Sequence, residues 1–267
     1  MKQEMKCPKC GTKLDWWKLL LRHFEWGIPS YLYSIVGGLR TTVMIHIKPN
    51  ETFELDLVKL GIPEESKILH VGYTPNDKGL FPLEIHGNTP YRHFIPHKIL
   101  LFGRPIGEPC EKTPVAVSID WVKNPVNNEI WNNLIESVEA FSINRFQSSV
   151  IPANVAVEAK LNEIIDGYLS RYASVKRVAD FLTSGATYSH QLNILLPLIA
   201  SFEDFPILPN DIRGSLNELR VYRNEIAHKG MTTKPLEKST MSTLLCSASF
   251  AMGYLKLLEE KINKNHL

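Results

Sequence analysis

Several kinds of sequence feature are scarce in this chain of 267 residues. It has four cysteines and a formal net charge of +2. No apolar run approaches the roughly 20 residues needed to cross a bilayer. The first residues are polar and lack the apolar core of a signal peptide. So few cysteines exclude a disulfide scaffold and favour a reducing compartment. These absences together predict a cytoplasmic protein with no membrane partner.

The overall composition is that of an ordinary globular protein, with 44% hydrophobic and 22% charged residues. This length leaves room for two domains. The small net charge excludes a nucleic-acid binder that relies on its whole surface. Basic residues are nevertheless concentrated in residues 1–25. Any electrostatic attraction for nucleic acid must therefore be local.

Residues 1–27 contain Cys7-Pro8-Lys9-Cys10-Gly11, which has the form of a zinc knuckle. Two thiolates three residues apart can hold one edge of a metal ion, but a closed structural site needs four ligands. Three interpretations remain open: a structural zinc ion with further ligands from elsewhere, a degenerate knuckle without metal, and a redox pair. The further ligands would come from His23, Cys110 or a second subunit. Residues 15–26 then predict a short amphipathic helix.

Residues 30–123 show the period-two alternation and β-branched or aromatic side chains typical of strands. The pattern predicts strands at 41–47, 52–57, 67–73, 81–86, 98–102 and 115–121. Short strands at this spacing predict an antiparallel all-β sandwich or barrel. We interpret four of its histidines as solvent-facing or turn residues rather than metal ligands, because no acid sits among them in the sequence (His70, His86, His93, His97).

Residues 124–267 carry apolar side chains at helical spacing. Helices are predicted at 129–146, at 155–170 after Pro152, at 188–201, from Asp211 onward, and at 240–261. Five amphipathic helices of this length form a bundle. The predicted fold class is therefore α+β and multidomain: a short N-terminal knuckle and helix, an antiparallel all-β domain and a C-terminal all-α bundle.

The most informative stretch is residues 219–230. Arg223 falls on the apolar stripe of its helix, and a guanidinium there needs an anion or a water-filled groove. His228 follows five residues later, and Gly230 is a plausible helix end. Positions five apart lie roughly 140° apart around a helix axis. Either the last turn loosens, or a second copy of the helix completes the site across a two-fold axis.

The sequence Arg223-Asn224-x-x-x-His228 resembles the Arg-x(4–6)-His signature of HEPN domains, over residues 126–267. Many HEPN domains are metal-independent ribonucleases of toxin–antitoxin and anti-phage systems. The resemblance implies a homodimer that cleaves RNA at its interface by attack of the 2′-hydroxyl, with no cofactor for catalysis. It further implies RNA as a partner and leaves open an antitoxin or a phage-derived protein as another.

The resemblance also assigns roles to individual residues. Arg223 would stabilise charge, His228 would transfer a proton, and Asn224 would orient His228 or contact a phosphate oxygen. Three other residues are assigned to substrate binding. Arg220 and Lys229 would guide the RNA backbone, and Glu158 is the acid expected near the cleft. Independently of this resemblance, Cys7 and Cys10 of the N-terminal knuckle are the predicted metal ligands.

Three alternatives compete with this interpretation. In the first, Arg223 pairs with Glu225 or Glu218, and His228 only complements the helix dipole. In the second, the domain is a HEPN-like module that binds a nucleotide, RNA or protein without turnover. In the third, the basic residues 1–25 bind DNA.

Overall fold

The structure is a computed structural model that describes residues 5–6, 8–14, 21, 36–75, 80–84, 97–105, 112–123 and 129–266. It is mixed α+β, with antiparallel sheets and a helical C-terminal part, as predicted. The chain divides into two compact units. The β unit comprises Pro29–Asn128, and the helical unit comprises Met1–Ile28 with Glu129–Leu267.

All six predicted strands of the β unit are present, with small shifts at their ends. They form two three-stranded antiparallel sheets, ordered β3-β8-β5 and β4-β7-β6, and the described strands do not close into a barrel. A separate two-stranded ladder joins β1 to β2 near the N-terminus. The strands are β1 (Met5–Lys6), β2 (Lys13–Leu14), β3 (Leu39–Ile47), β4 (Thr52–Asp56), β5 (Lys67–Pro75), β6 (Leu80–Glu84), β7 (Lys98–Pro105) and β8 (Thr113–Val122).

Alternation of side chains along the strands builds the core of the β unit. In β3, Ile45 and Ile47 are buried while the intervening His46 is exposed. Successive strand residues point to opposite faces, so one face of each sheet can be apolar. A single cluster of buried side chains draws on both three-stranded sheets, including Leu55 of β4 and Val117 of β8. The two sheets of this unit therefore share one hydrophobic core.

One charged group on β8 is fully buried. The carboxylate of Asp120 accepts hydrogen bonds from Arg40 at 2.6 and 2.9 Å and lies 3.3 Å from His70 Nδ1. Burial alone would raise the pKa of Asp120, but the hydrogen bonds and positive charges of Arg40 and His70 outweigh it and lower the pKa. No acid sits among the four histidines in the sequence, but the fold brings one to His70, which lies half-buried in β5 rather than in a turn. Its acid lies 50 residues away in sequence. His86 and His93 lie outside the described residues.

We predict that Asp120→Asn lowers the free energy of unfolding by about 2 kcal/mol near neutral pH, because Arg40 and His70 lose a charged acceptor. A lowered pKa gives stability that is present above the unfolded value of about 4 and is lost as pH falls through the folded value. The difference between variant and wild type should therefore shrink in acid. Urea unfolding at neutral and acidic pH measures it, with the exposed Glu64→Gln as control. A difference independent of pH would contradict this account.

Among its described residues, the helical unit has four long helices, and short helices connect the second of them to the third. Helix α2 packs against α1, α6 and α7. Lys160 of α2, almost buried, donates to Glu259 of α7 at 2.8 Å. The described helices are α1 (Glu129–Ser142), α2 (Phe146–Leu169), α3 (Val175–Asp180), α4 (Tyr188–His190), α5 (Leu196–Phe202), α6 (Asn210–Lys229) and α7 (Lys238–Asn265).

The first two helices differ from their predicted bounds. Helix α1 ends at Ser142 because Asn144 adopts a left-handed conformation, with φ of 59°. The amides of Asn144 and Arg145 then bond back to Phe141 and Ala140, which closes the helix end. Helix α2 begins well before Pro152 and continues through it. Tertiary contacts override the proline here, since Ser137 of α1 and Ser149 of α2 exchange buried hydrogen bonds of 2.7 and 2.8 Å.

The last helix is longer than predicted. Contrary to the expectation from sequence, α7 is long and apolar enough, by length and composition alone, to cross a membrane. However, 72% of its most apolar stretch is buried inside the protein. Small side chains line much of that buried surface (Ser242, Ser247, Ala248, Ala251). This is the pattern of a helix at the centre of a bundle.

Candidate functional site

Helix α6 carries the motif and is anchored by three apolar side chains. Ile212, Leu216 and Leu219 are each no more than 1% exposed. Their spacing of four and three residues places them on one face of the helix. Arg223 comes four residues after Leu219 and is only half-buried. It therefore continues the buried stripe to the edge of the helical core.

The guanidinium of Arg223 is not neutralised by a neighbouring acid. Its Nη1 donates to Asn224 Oδ1 at 3.0 Å, and it forms no ion pair with any carboxylate among the described residues. Glu225 instead accepts from the amide and hydroxyl of Thr233, at 2.9 and 2.8 Å. These hydrogen bonds lower the pKa of Glu225. The pairing of Arg223 with Glu225 or Glu218 expected from the alternative interpretation is therefore not found.

The side chain of Arg223 lines an open cleft with a volume of about 620 Å³. Glu158, Asn162 and Asp166 line it from α2, where four-residue spacing places them on one face of the helix. Arg223 contributes from α6. The facing wall comes from the end of α3 and from the segment between α3 and α5 (Ala179, Leu182, Thr183, Ala186, Thr187, Tyr188, Gln191). Glu158, predicted to approach the cleft, thus shares it with Arg223.

Two π-helical turns build the facing wall, at Phe181–Gly185 and Gln191–Leu195. In the first, the amide of Ala186 donates to the Phe181 carbonyl at 2.8 Å, five residues back. Each such turn inserts one residue relative to an α-helix and redirects the side chains around it. Single π turns are found frequently at functional sites.

Two buried polar atoms on this wall lack a hydrogen-bond partner among the described residues. They are the hydroxyl of Tyr188 and Oε1 of Gln191, and each side chain is 6% exposed. Gln191 Nε2 donates to the Ala186 carbonyl at 3.0 Å and to Asn162 Oδ1 at 3.4 Å. Burial, together with the charge of Glu158, raises the pKa of Tyr188, while Arg220 opposes this shift. Buried polar groups normally have a partner.

His228 is exposed in the last turn of α6 and is not among the side chains that line the cleft. That turn remains regular: the amide of Gly230, with φ of 77°, donates to the Ile226 carbonyl at 2.8 Å. Within one chain, therefore, the last turn does not loosen to bring His228 to Arg223. Lys229 is also exposed and donates to Thr233 at 3.4 Å. Arg220 keeps a buried Nε without a partner among the described residues.

The predicted metal pair is described only in part. Cys10 is exposed in the turn between β1 and β2, with its Sγ 3.1 Å from Thr12 Oγ1. Cys7, His23 and Cys110 lie outside the described residues, as does nearly all of the predicted helix at 15–26. Within the described part of the chain, no three His, Cys, Asp or Glu side chains form a group that could hold a metal ion.

Most of the facing wall of the cleft was not predicted from the sequence. Asp166, Tyr188 and Gln191, which line the cleft, were not singled out. The four-residue spacing of Glu158, Asn162 and Asp166 was the available signal for the α2 wall. No periodic signal marks the π turns, because they interrupt the helical repeat.

Comparison with protein-family models, with curated proteins and with solved structures gave no match.

We predict that Tyr188→Phe leaves the free energy of unfolding unchanged or raises it, because its buried hydroxyl bonds to no described residue. Ser137→Ala is the contrasting variant: its buried hydroxyl bonds to Ser149, so its loss should cost about 1–2 kcal/mol. Thermal or urea unfolding compares the two. A loss of stability in Tyr188→Phe as large as in Ser137→Ala would show that this hydroxyl is bonded within the protein.

Proposed function

We propose that the protein is a metal-independent endoribonuclease of the toxin or anti-phage type, with a HEPN-like helical bundle as its catalytic part. The observation that carries the proposal is Arg223, a guanidinium without a carboxylate partner in the described structure, at the edge of an open cleft. A permanent positive charge in that position suits a phosphodiester, which accepts paired hydrogen bonds from guanidinium. The resemblance of Arg223-Asn224-x-x-x-His228 to the HEPN signature supplies the reaction type.

The site requires a second copy of the chain. Asn217, Val221, Asn224 and His228 follow each other at spacings of four, three and four residues, so they share one face of α6. Val221 is 52% exposed on this face. A homodimer through it would bring His228 of one copy towards Arg223 of the other.

Exposed apolar side chains beside this face support the dimer. Asn217 exchanges amide hydrogen bonds of 3.3 Å with Asn193 on the neighbouring segment. Next to Asn193 along that segment, Ile194 and Leu198 are each about half exposed. Apolar surface of this kind, interrupted by paired amides, is typical of a protein–protein interface.

The chemistry is a transfer within the RNA itself. The 2′-hydroxyl oxygen attacks phosphorus, the bond from phosphorus to the 5′-oxygen breaks, and a 2′,3′-cyclic phosphate and a 5′-hydroxyl are formed. A base must accept the 2′-hydroxyl proton and an acid must protonate the departing oxygen. His228 serves as one of these groups, since an imidazole can act in either form near neutral pH. Arg223 stabilises the negative charge on the phosphorane oxygens.

The remaining residues assist binding. Asn224, which accepts a hydrogen bond from Arg223, orients that guanidinium and contacts a phosphate oxygen. Arg220 and Lys229 attract the RNA backbone, and Glu158 faces the bound nucleotide from α2. The β unit, whose two sheets share one core, would serve as a sandwich-type module that senses a ligand or binds a partner protein. Cys7 and Cys10 belong to a knuckle that a structural zinc ion would hold.

A second candidate function is nucleotide or RNA binding without turnover. The cleft and its buried unpartnered polar atoms favour it, since they suit a bound ligand whether or not a reaction follows. In that case Arg223 would only hold a phosphate. Degradation of RNA by the purified protein in the presence of a chelator separates the two functions.

We predict that Arg223→Ala and His228→Ala each lower RNA cleavage by at least about 100-fold while circular dichroism and unfolding remain those of the wild type, because both residues act on the reacting phosphate. Arg177→Ala and His46→Ala are matched controls, since both side chains are exposed and lie outside the cleft. The measurement is cleavage of labelled transfer and messenger RNA with chelator present. Equal cleavage by the Arg223 or His228 variant and the wild type would refute the proposed roles.

A second prediction concerns the shared site. Co-expressed Arg223→Ala and His228→Ala chains should recover about a quarter of wild-type activity, because half of the dimers are mixed and each mixed dimer holds one intact Arg–His pair across the two-fold axis. Purification through two different tags isolates the mixed dimer. If the two residues instead acted within one chain, every pair would carry one defect and no activity would return.

A further inference from the structure

The α2 wall of the cleft offers hydrogen-bond acceptors in excess. Glu158 and Asp166 are carboxylates, which can only accept hydrogen bonds when they are ionised. Glu158 already accepts one bond, from Asn154 Nδ2 at 3.0 Å, which leaves most of its capacity unused. The wall therefore suits a ligand with several N–H groups close together.

The orientation of Gln191 adds a third acceptor. Its Nε2 donates to the backbone carbonyl of Ala186, which cannot itself donate, so the amide cannot be turned around. Oε1 is consequently fixed as the free end, and it is buried without a donor among the described residues. The hydroxyl of Tyr188 is a buried donor on the facing wall, to which Gln191 also belongs. Both unpartnered atoms belong to side chains more than nine-tenths buried.

Of the four RNA bases, guanine matches this set best. Its Watson–Crick edge presents N1–H and the N2 amine side by side, next to the O6 acceptor. Adenine and cytosine place an acceptor beside their amine, and uracil places its one N–H between two acceptors. Proteins read unstacked RNA bases through such edges. An edge with adjacent donors suits carboxylate and carbonyl oxygens, and O6 suits the hydroxyl of Tyr188.

The charges that line the cleft determine which way round a nucleotide would bind. A phosphate would be repelled by Glu158 and Asp166 on the α2 wall and attracted by Arg223 on α6. The base therefore lies towards α2 and the phosphate towards α6. A volume of about 620 Å³ is sufficient for one nucleotide.

We propose that this cleft is a guanine-specific nucleotide subsite, with Glu158, Gln191 and Tyr188 reading the base and Arg223 holding the phosphate. The inference deepens the endoribonuclease proposal and rests on it for RNA as the natural ligand. It makes Glu158 a specificity-determining residue. Cleavage would then occur next to guanine.

Calorimetric titration of the full chain with guanosine, inosine and adenosine monophosphates tests the base contacts directly. The guanosine nucleotide should bind at least about tenfold more tightly than the adenosine nucleotide, and inosine, which lacks the N2 amine, should lie between them. Glu158→Gln and Tyr188→Phe should each weaken guanosine monophosphate about tenfold, whereas the exposed Glu136→Gln should not change it. Tyr188→Phe keeps the test decisive should Glu158→Gln fail to fold. Equal affinity for the guanosine and adenosine nucleotides, or unchanged binding by these cleft variants, would overturn the inference.

RNA oligonucleotides with a single guanine, or with none, separate this inference from the nuclease proposal. Selective binding of guanosine monophosphate and of the guanine oligonucleotide without cleavage supports the subsite and refutes the nuclease. Cleavage of both oligonucleotides alike, with no preference for the guanosine nucleotide, refutes the subsite and leaves the nuclease intact. Selective binding of the free nucleotide while both oligonucleotides bind equally weakly overturns RNA as the ligand.

Discussion

Burial of Ile212, Leu216 and Leu219 in the helical core is the constraint on which the candidate site depends. These contacts fix the rotation of α6 about its axis, so every later side chain on the helix has a determined direction. Arg223 is carried to the edge of the core, where it meets the cleft rather than open solvent. The cost of burying a charge without a counter-ion is avoided there because the guanidinium remains half-buried and can be solvated or can bind an anion.

The same rotation separates the two residues of the motif. Since α6 keeps its regular hydrogen bonds up to Gly230, the helix cannot present Arg223 and His228 to one point. His228 stands instead with Asn217, Val221 and Asn224 on an exposed face. The proposed catalytic role of this pair would therefore require self-association, because one chain alone does not bring the two side chains together.

Much of the architecture follows from local patterns, and the parts that do not follow have identifiable causes. The six strands were predictable because buried and exposed residues alternate along them. The position of Arg223 was predictable from its place in a helical repeat. The start of α2 ahead of Pro152 was not, because contacts with α1 decide it. The bond between His70 and Asp120 was not, because it depends on strand register between distant segments. The π turns and the cleft wall they form lack a periodic signature altogether.

The two π turns have a consequence for how this wall can change over generations. A π turn differs from an α turn by one residue, so loss of a single codon within Gln191–Leu195 would restore ordinary helical winding. The extra residue of a π turn is accommodated within the turn itself, so this deletion would leave the helical segments on either side in register and change only the side chains at the turn. A one-residue length change could thus reshape the cleft wall locally, without altering any of the charged groups that line the cleft.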